Sequence, residues 1–139
     1  MTVRPMFDRI VRKLIKGKSS FLGGLLIRNS RMAYPLSKRA VQMYAAVMSP
    51  AFGRVGARIV SLSPGIIATD MARLEQQAGP EMDKMIAHTP LRRSGLASEI
   101  ASVVGFLASP GASYITGTDI LVDGGTVAGI EAAGGPMKL

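Results

Sequence analysis

Arg58-Ile-Val-Ser-Leu-Ser-Pro-Gly65 decides the fold. Its apolar residues, two of them β-branched, run into Pro64-Gly65, so the stretch Arg58–Ser63 reads as a buried strand closed by a turn. Upstream, Leu36, Ala40, Met43, Tyr44 and Val47 repeat at helical spacing and predict a helix over 33–49. Pro35 is expected in its first turn, and Pro50 and Gly53 are expected to close it. Downstream, 71–77 and 81–87 read as short helices. Residues 98–108 read as a third helix, with Ser98 as cap and Ile100, Val103, Val104 and Leu107 on one face. Tyr114–Val122 predicts the last strand, followed by Asp123-Gly-Gly-Thr126. Helix, strand, helix, strand in that order, joined by long crossovers, is the pattern of an α/β fold with a parallel sheet.

The chain has 139 residues, enough for one domain, and 47% of them are hydrophobic. It has no Cys and one His, which excludes a disulfide scaffold and thiolate metal sites and leaves little for a His-rich metal centre. No apolar run approaches the roughly 20 residues that span a bilayer, and the expected setting is cytoplasmic. The net charge of +8 is uneven. Residues 1–39 hold ten Lys or Arg and one acid, Asp8, whereas residues 40–139 balance at −1.

Met6, Phe7, Ile10, Val11, Leu14 and Ile15 recur at helical spacing with Arg9, Arg12, Lys13 and Lys16 opposite, predicting an amino-terminal basic amphipathic helix. A membrane-surface helix, a presequence and a nucleic-acid arm all use such a pattern. A helix docking its apolar face on its own protein does so more commonly, and that is the expectation. Phe7 is its one aromatic residue, and no nucleic-acid partner is expected. Phe21–Ile27, broken at Gly23-Gly24, reads as a turn or lid.

Tyr34 and Lys38 stand at i and i+4 of the second helix, on one face. An ammonium beside a phenol favours the phenolate, and a phenol so placed exchanges a proton with an alkoxide. The same spacing also arises where an exposed aromatic simply lies beside a solvated lysine. His88 reads as a surface or packed residue, and Arg92-Arg93 as a solvated pair.

The order of motifs is more specific. Ala33-Tyr-Pro-Leu-Ser-Lys-Arg-Ala-Val41 is followed by Gly56-Ala-Arg-Ile-Val-Ser-Leu-Ser-Pro-Gly-Ile-Ile-Ala-Thr-Asp-Met71. Then come Thr89-Pro-Leu-Arg92, Glu99-Ile-Ala-Ser-Val-Val-Gly-Phe-Leu-Ala-Ser109 and Tyr114-Ile-Thr-Gly-Thr-Asp-Ile-Leu-Val-Asp-Gly-Gly125. This set resembles the carboxyl-terminal half of the short-chain dehydrogenase/reductase family over residues 33–126. The resemblance implies a partial Rossmann-like, doubly wound parallel sheet: its last two strands and their flanking helices. It divides the chain into a basic helix and loop (1–32), the Rossmann-like part (33–126) and a loose Gly/Ala-rich tail (127–139).

The resemblance also implies roles. Tyr34 matches the catalytic acid/base, and Lys38 matches the residue that stabilises its deprotonated form and bonds the nicotinamide ribose. Pro64 and Gly65 match the turn beside the nicotinamide of NAD or NADP. The Ile67 main chain and Thr69 match carboxamide or phosphate contacts. Met71, Leu74, Met82 and Met85 fall in the substrate loop, implying a small hydrophobic alcohol or carbonyl compound, although core packing accounts for such methionines equally well. Asp123-Gly124-Gly125 reads as structural. Helices 33–49 and 98–108 match the usual oligomer interface, which leaves a second reading, a non-catalytic oligomerisation or interaction module.

Three family features have no match. The glycine-rich pyrophosphate turn, G-x-x-x-G-x-G, does not occur, and neither does the Asn motif. The catalytic serine is open between Ser20, fourteen residues before Tyr34, and a serine upstream of an insertion formed by residues 1–33. The expectation is a truncated oxidoreductase, weakly active or inactive alone. Its sheet edge would lack partners, leaving it marginal or self-associated.

Overall fold

The computed structural model describes residues 8–9, 11–13, 16–17, 30–70 and 80–134. Its elements run in the order α1 (Ser30–Gly53), β1 (Ser61–Pro64), α2 (Glu81–His88), α3 (Ala97–Ala108), a 3₁₀ turn (Pro110–Ala112), β2 (Asp119–Val122) and α4 (Thr126–Ala132). The stretch 21–27 and the short helix expected over 71–77 lie outside the described residues.

Among the described residues the sheet has two strands. The Ser61 N–H donates to the Thr118 carbonyl at 3.0 Å and the Gly65 N–H to the Val122 carbonyl at 2.9 Å. Both pairs have the same sequence offset, which is the register of a parallel ladder. The strands are shorter than 58–63 and 114–122. Residues 58 and 59 continue the pairing irregularly: the Gly117 N–H donates to the Ile59 carbonyl at 2.7 Å, while Arg58 Nη1 donates to the Ile115 carbonyl and the Ile59 N–H to Thr116 Oγ1. No residue of either strand is fully buried, so the expected buried strand is a half-buried one.

Helix α1 overruns both predicted ends, with Pro35 and Pro50 inside it. Pro50 has no N–H for the Ala46 carbonyl, but Ser49 Oγ donates to that carbonyl at 3.0 Å, and the helix continues through the proline. It stops where Gly56 takes φ 70°, with the Gly56 N–H donating to the Gly53 carbonyl and the Ala57 N–H to the Phe52 carbonyl. Gly56, rather than Gly53, is therefore the terminator.

Two compact units divide the chain, residues 1–61 with 115–119 and residues 62–114 with 120–139, so the segment 33–126 contributes to both. In the first unit Val11, fully buried, packs with Leu36 and Met43, and Ala40 lies against them. Residues 8–9 and 11–13 are helical, and Arg9, Arg12, Lys13 and Lys16 are exposed. Asp8 receives a two-pronged contact from Arg39, Nε to Oδ1 and Nη2 to Oδ2, both at 2.9 Å. Val11 thus docks on its own protein, whereas Met6, Phe7, Ile10, Leu14 and Ile15 lie outside the described residues. Tyr44, expected in the core stripe, is 44% exposed.

In the second unit α2 packs on α4. Two buried hydroxyls, Thr89 Oγ1 and Thr126 Oγ1, meet there at 2.7 Å. Residues 126–132 are helical, although a loose tail was expected from residue 127 on. Asp123 organises this helix: its carboxylate accepts the Gly125 and Val127 N–H groups at 2.8 Å, and its carbonyl accepts the Thr126 hydroxyl at 2.7 Å. Residues 135–139 of that tail lie outside the described residues. No described helix is long and apolar enough to cross a membrane.

Candidate active site

The first unit carries the proton-transfer candidates. One helical turn brings Lys38 Nζ to 5.3 Å from the centroid of the Tyr34 ring, so phenol and ammonium share a face. Leu36 and Met43, buried in the core, point roughly opposite, which leaves Tyr34 68% exposed and Lys38 exposed. The neighbouring Arg39 is committed elsewhere: its hydrogen bond to Asp8 raises its pKa above the ordinary guanidinium value. Lys38 is thereby the cation beside the phenol. Ser20 lies outside the described residues.

The second unit carries the loop that leaves β1. Pro64 ends the strand, and the Gly65 N–H adds one more bond to the ladder. Gly65 passes so close to β2 that a Cβ built on it would lie 2.5 Å from Asp123 Cα. Beyond it, the Gly95 N–H donates to the Ile66 carbonyl and the Ala68 N–H to the Gly95 carbonyl, both at 2.8 Å, forming an isolated parallel bridge between Ile67 and Gly95. In such a bridge the N–H and C=O of residue 67 itself take no part and face the other way. Thr69 follows, exposed. A cavity of about 100 Å³ beside this loop is lined by Ile66, Ile67, Leu91, Ile100 and Val122, with Glu99 at its polar side.

Arg93, exposed as expected, also forms a bidentate ion pair with Glu99, Nη1 to Oε2 at 2.9 Å and Nη2 to Oε1 at 2.7 Å. Arg92 takes φ 55° in the same turn. Glu99 Oε2 also accepts the Leu96 N–H at 2.7 Å, so α3 is capped from its third residue and starts at Ala97 without Ser98 as cap. The Arg93 hydrogen bond, then that of Leu96, lower the Glu99 pKa from 4.5 to about 2. The native value lies below the ordinary one. The pair therefore stabilises the fold above about pH 4.5, and its contribution is lost as pH falls towards 2. A circular-dichroism titration is expected to show helix loss in that window for the native chain and none of that component for Glu99→Gln.

Met71 and Leu74 lie outside the described residues; Met82 is half-buried and Met85 41% exposed on α2, and neither lines the cavity. His88 is exposed, its Nδ1 2.7 Å from the Lys84 carbonyl.

A parallel sheet flanked by helices places the chain in the Rossmann-like α/β class. A family model described as enoyl-(acyl carrier protein) reductase matches residues 15–127. The chain is 41% identical to the short-chain dehydrogenase/reductase bsc3 of Alternaria brassicicola over 116 residues, covering 79% of this chain and 42% of that protein. It is 37% identical over 107 residues to a galactitol 2-dehydrogenase (L-tagatose-forming) of Cereibacter sphaeroides, covering 75% of this chain and 42% of that enzyme. A solved 4-hydroxyisoleucine dehydrogenase complexed with NADH superposes with a TM-score of 0.63 at 32% identity, over 69% of this chain and 40% of that one. The chain belongs to the short-chain dehydrogenase/reductase family. It spans less than half the length of these relatives.

Proposed function

We propose that this chain supplies the proton-transfer pair and the nicotinamide-side loop of an NAD(P)-dependent oxidoreductase that interconverts a small hydrophobic alcohol and its carbonyl compound. The observation that carries this reading is the Lys38 ammonium 5.3 Å from the ring of an exposed Tyr34. The Tyr34 hydroxyl donates a proton to the oxygen of a carbonyl being reduced, and in the reverse direction the phenolate takes it back. Lys38 is the cation that faces this phenol. A bound nicotinamide supplies or accepts the hydride.

The residues present suit the nicotinamide end. The N–H and C=O of Ile67 that the bridge leaves unused offer one donor and one acceptor, the complement of a carboxamide, and the exposed Thr69 follows two residues on. The NADH complex of a 32%-identical relative supports the same cofactor class. Ser20 stays the serine candidate by spacing, and Met71, Leu74, Met82 and Met85 the substrate-side candidates. These 139 residues hold no glycine-rich turn for the pyrophosphate, so weak cofactor affinity and slow turnover are expected of the chain assayed alone. The test is NADH and NADPH oxidation by the purified chain across a panel of carbonyl compounds, with and without Tyr34→Phe.

The surface of α3 favours a second reading, a self-association module. None of its residues is buried, and Val104 and Phe106 are 52% and 51% exposed. Light scattering at micromolar concentration is expected to exceed the 14.6 kDa monomer mass and to fall towards it for Phe106→Ser. A monomer for both proteins rejects this reading.

A further inference from the structure

We propose that the Arg93–Glu99 ion pair is a positioning device for the nicotinamide-side loop, acting through Gly95 on the main chain of Ile67 and Ala68. The inference rests on the reading of that loop given above and adds the residues that hold it in shape.

Every link is a short polar contact within one unit. Arg93 grips both oxygens of Glu99 and also donates from Nη1 to the Ser94 carbonyl at 3.0 Å. Glu99 Oε2 holds the Leu96 N–H at 2.7 Å. Ser94 and Leu96 flank Gly95, so the pair fastens the main chain on both sides of the residue that bridges to Ile67. Gly95 then donates to the Ile66 carbonyl and accepts from the Ala68 N–H, both at 2.8 Å. Those two bonds fix the peptide planes on either side of Ile67, and thereby the direction of its unused N–H and C=O. Gly95 has no side chain to intervene, and a Cβ there would stand 2.9 Å from Ile67 Cδ1.

A bidentate guanidinium–carboxylate pair specifies geometry as well as charge, because its fork has one orientation. Arg93 and Glu99 touch neither substrate nor cofactor in this scheme. Their effect is on how well Ile67 is aimed.

The test uses the full chain labelled with ¹⁵N. In Glu99→Gln, hydrogen exchange of the Ala68 and Gly95 amides without cofactor is expected to quicken by about fivefold, the upper range for an exposed ion pair. The Val127 amide, held by Asp123, is expected to keep its rate. NADH is expected to shift the Ile67 and Thr69 amide resonances of the native chain, and the variant is expected to need about fivefold more NADH for the same shift. Arg93→Lys, which keeps the charge and loses the fork, serves as the milder lesion should Glu99→Gln fold poorly, and the same direction of change is expected.

Faster exchange confined to the first turn of α3, with Ala68 and Gly95 unchanged, would mean that the pair only caps a helix, and would overturn the proposal. So would faster exchange with an unaltered NADH response. A native chain whose Ile67 and Thr69 resonances ignore NADH rejects the nicotinamide reading of the loop, and the proposal with it. A native response that the variants leave intact rejects the proposal alone.

Discussion

Tyr34→Phe lowers NAD(P)H-dependent carbonyl reduction by the chain by about 10²- to 10⁴-fold, the range that a positioned proton donor contributes. The substitution removes one oxygen from a side chain that is 68% exposed and packed in no core, so folding is expected to be untouched. Circular dichroism and the thermal midpoint of the variant should therefore match those of the native chain. Lys38→Met is expected to fall towards the same floor, because the ammonium acts on the reaction through the phenol it faces. The double variant is expected to be no worse than either single one, the non-additivity of two groups that work as a unit. Turnover in Tyr34→Phe equal to that of the native chain would remove the phenol from the chemistry and the proposed activity with it.

Gly65→Ala is expected to lose about 3 kcal/mol of stability, the upper end for overpacking, and about 10 °C of thermal midpoint. The added methyl would stand 2.5 Å from Asp123 Cα and 2.7 Å from its Cβ. A flexible side chain could step aside, but here main chain is in the way. Asp123 is also poorly placed to yield, since its carboxylate holds the Gly125 and Val127 amides at the start of α4. The strain is thus expected to spread into that helix, with loss of helical signal before the main transition. Gly105, where nothing beyond its own helix lies within 4 Å of an added methyl, serves as the control and accepts alanine without this penalty. Equal midpoints for Gly65→Ala and the native chain would show that the turn moves freely.

Features with a local, periodic cause were legible in the sequence. The Tyr34–Lys38 register needs only the helical repeat, and the structure places the two groups together. The α/β order and the parallel sheet followed from elements spaced too far apart for hairpins. Asp123 reads as structural only through the family resemblance; the helix that its carboxylate starts was expected to be a loose tail. What the sequence hides is long-range or compensated. Asp8 and Arg39 are 31 residues apart, and no spacing rule joins them. Arg93 and Glu99 are six residues apart, across the irregular stretch that precedes α3, so helical arithmetic does not pair them. The strands read too long in the sequence because their apolar runs extend past the regular ladder into residues 58–59 and 115–117, which pair through mixed main-chain and side-chain bonds.

The mended proline of α1 reaches further than the helix. Ser49, whose hydroxyl satisfies the Ala46 carbonyl, is the same group that a Cβ at Gly117 would meet, at 2.8 Å from Oγ. Freedom to mutate at 117 is therefore mortgaged to a repair made much earlier in the chain. A bulkier residue there would evict the hydroxyl, and the break at Pro50 would reopen as its first symptom.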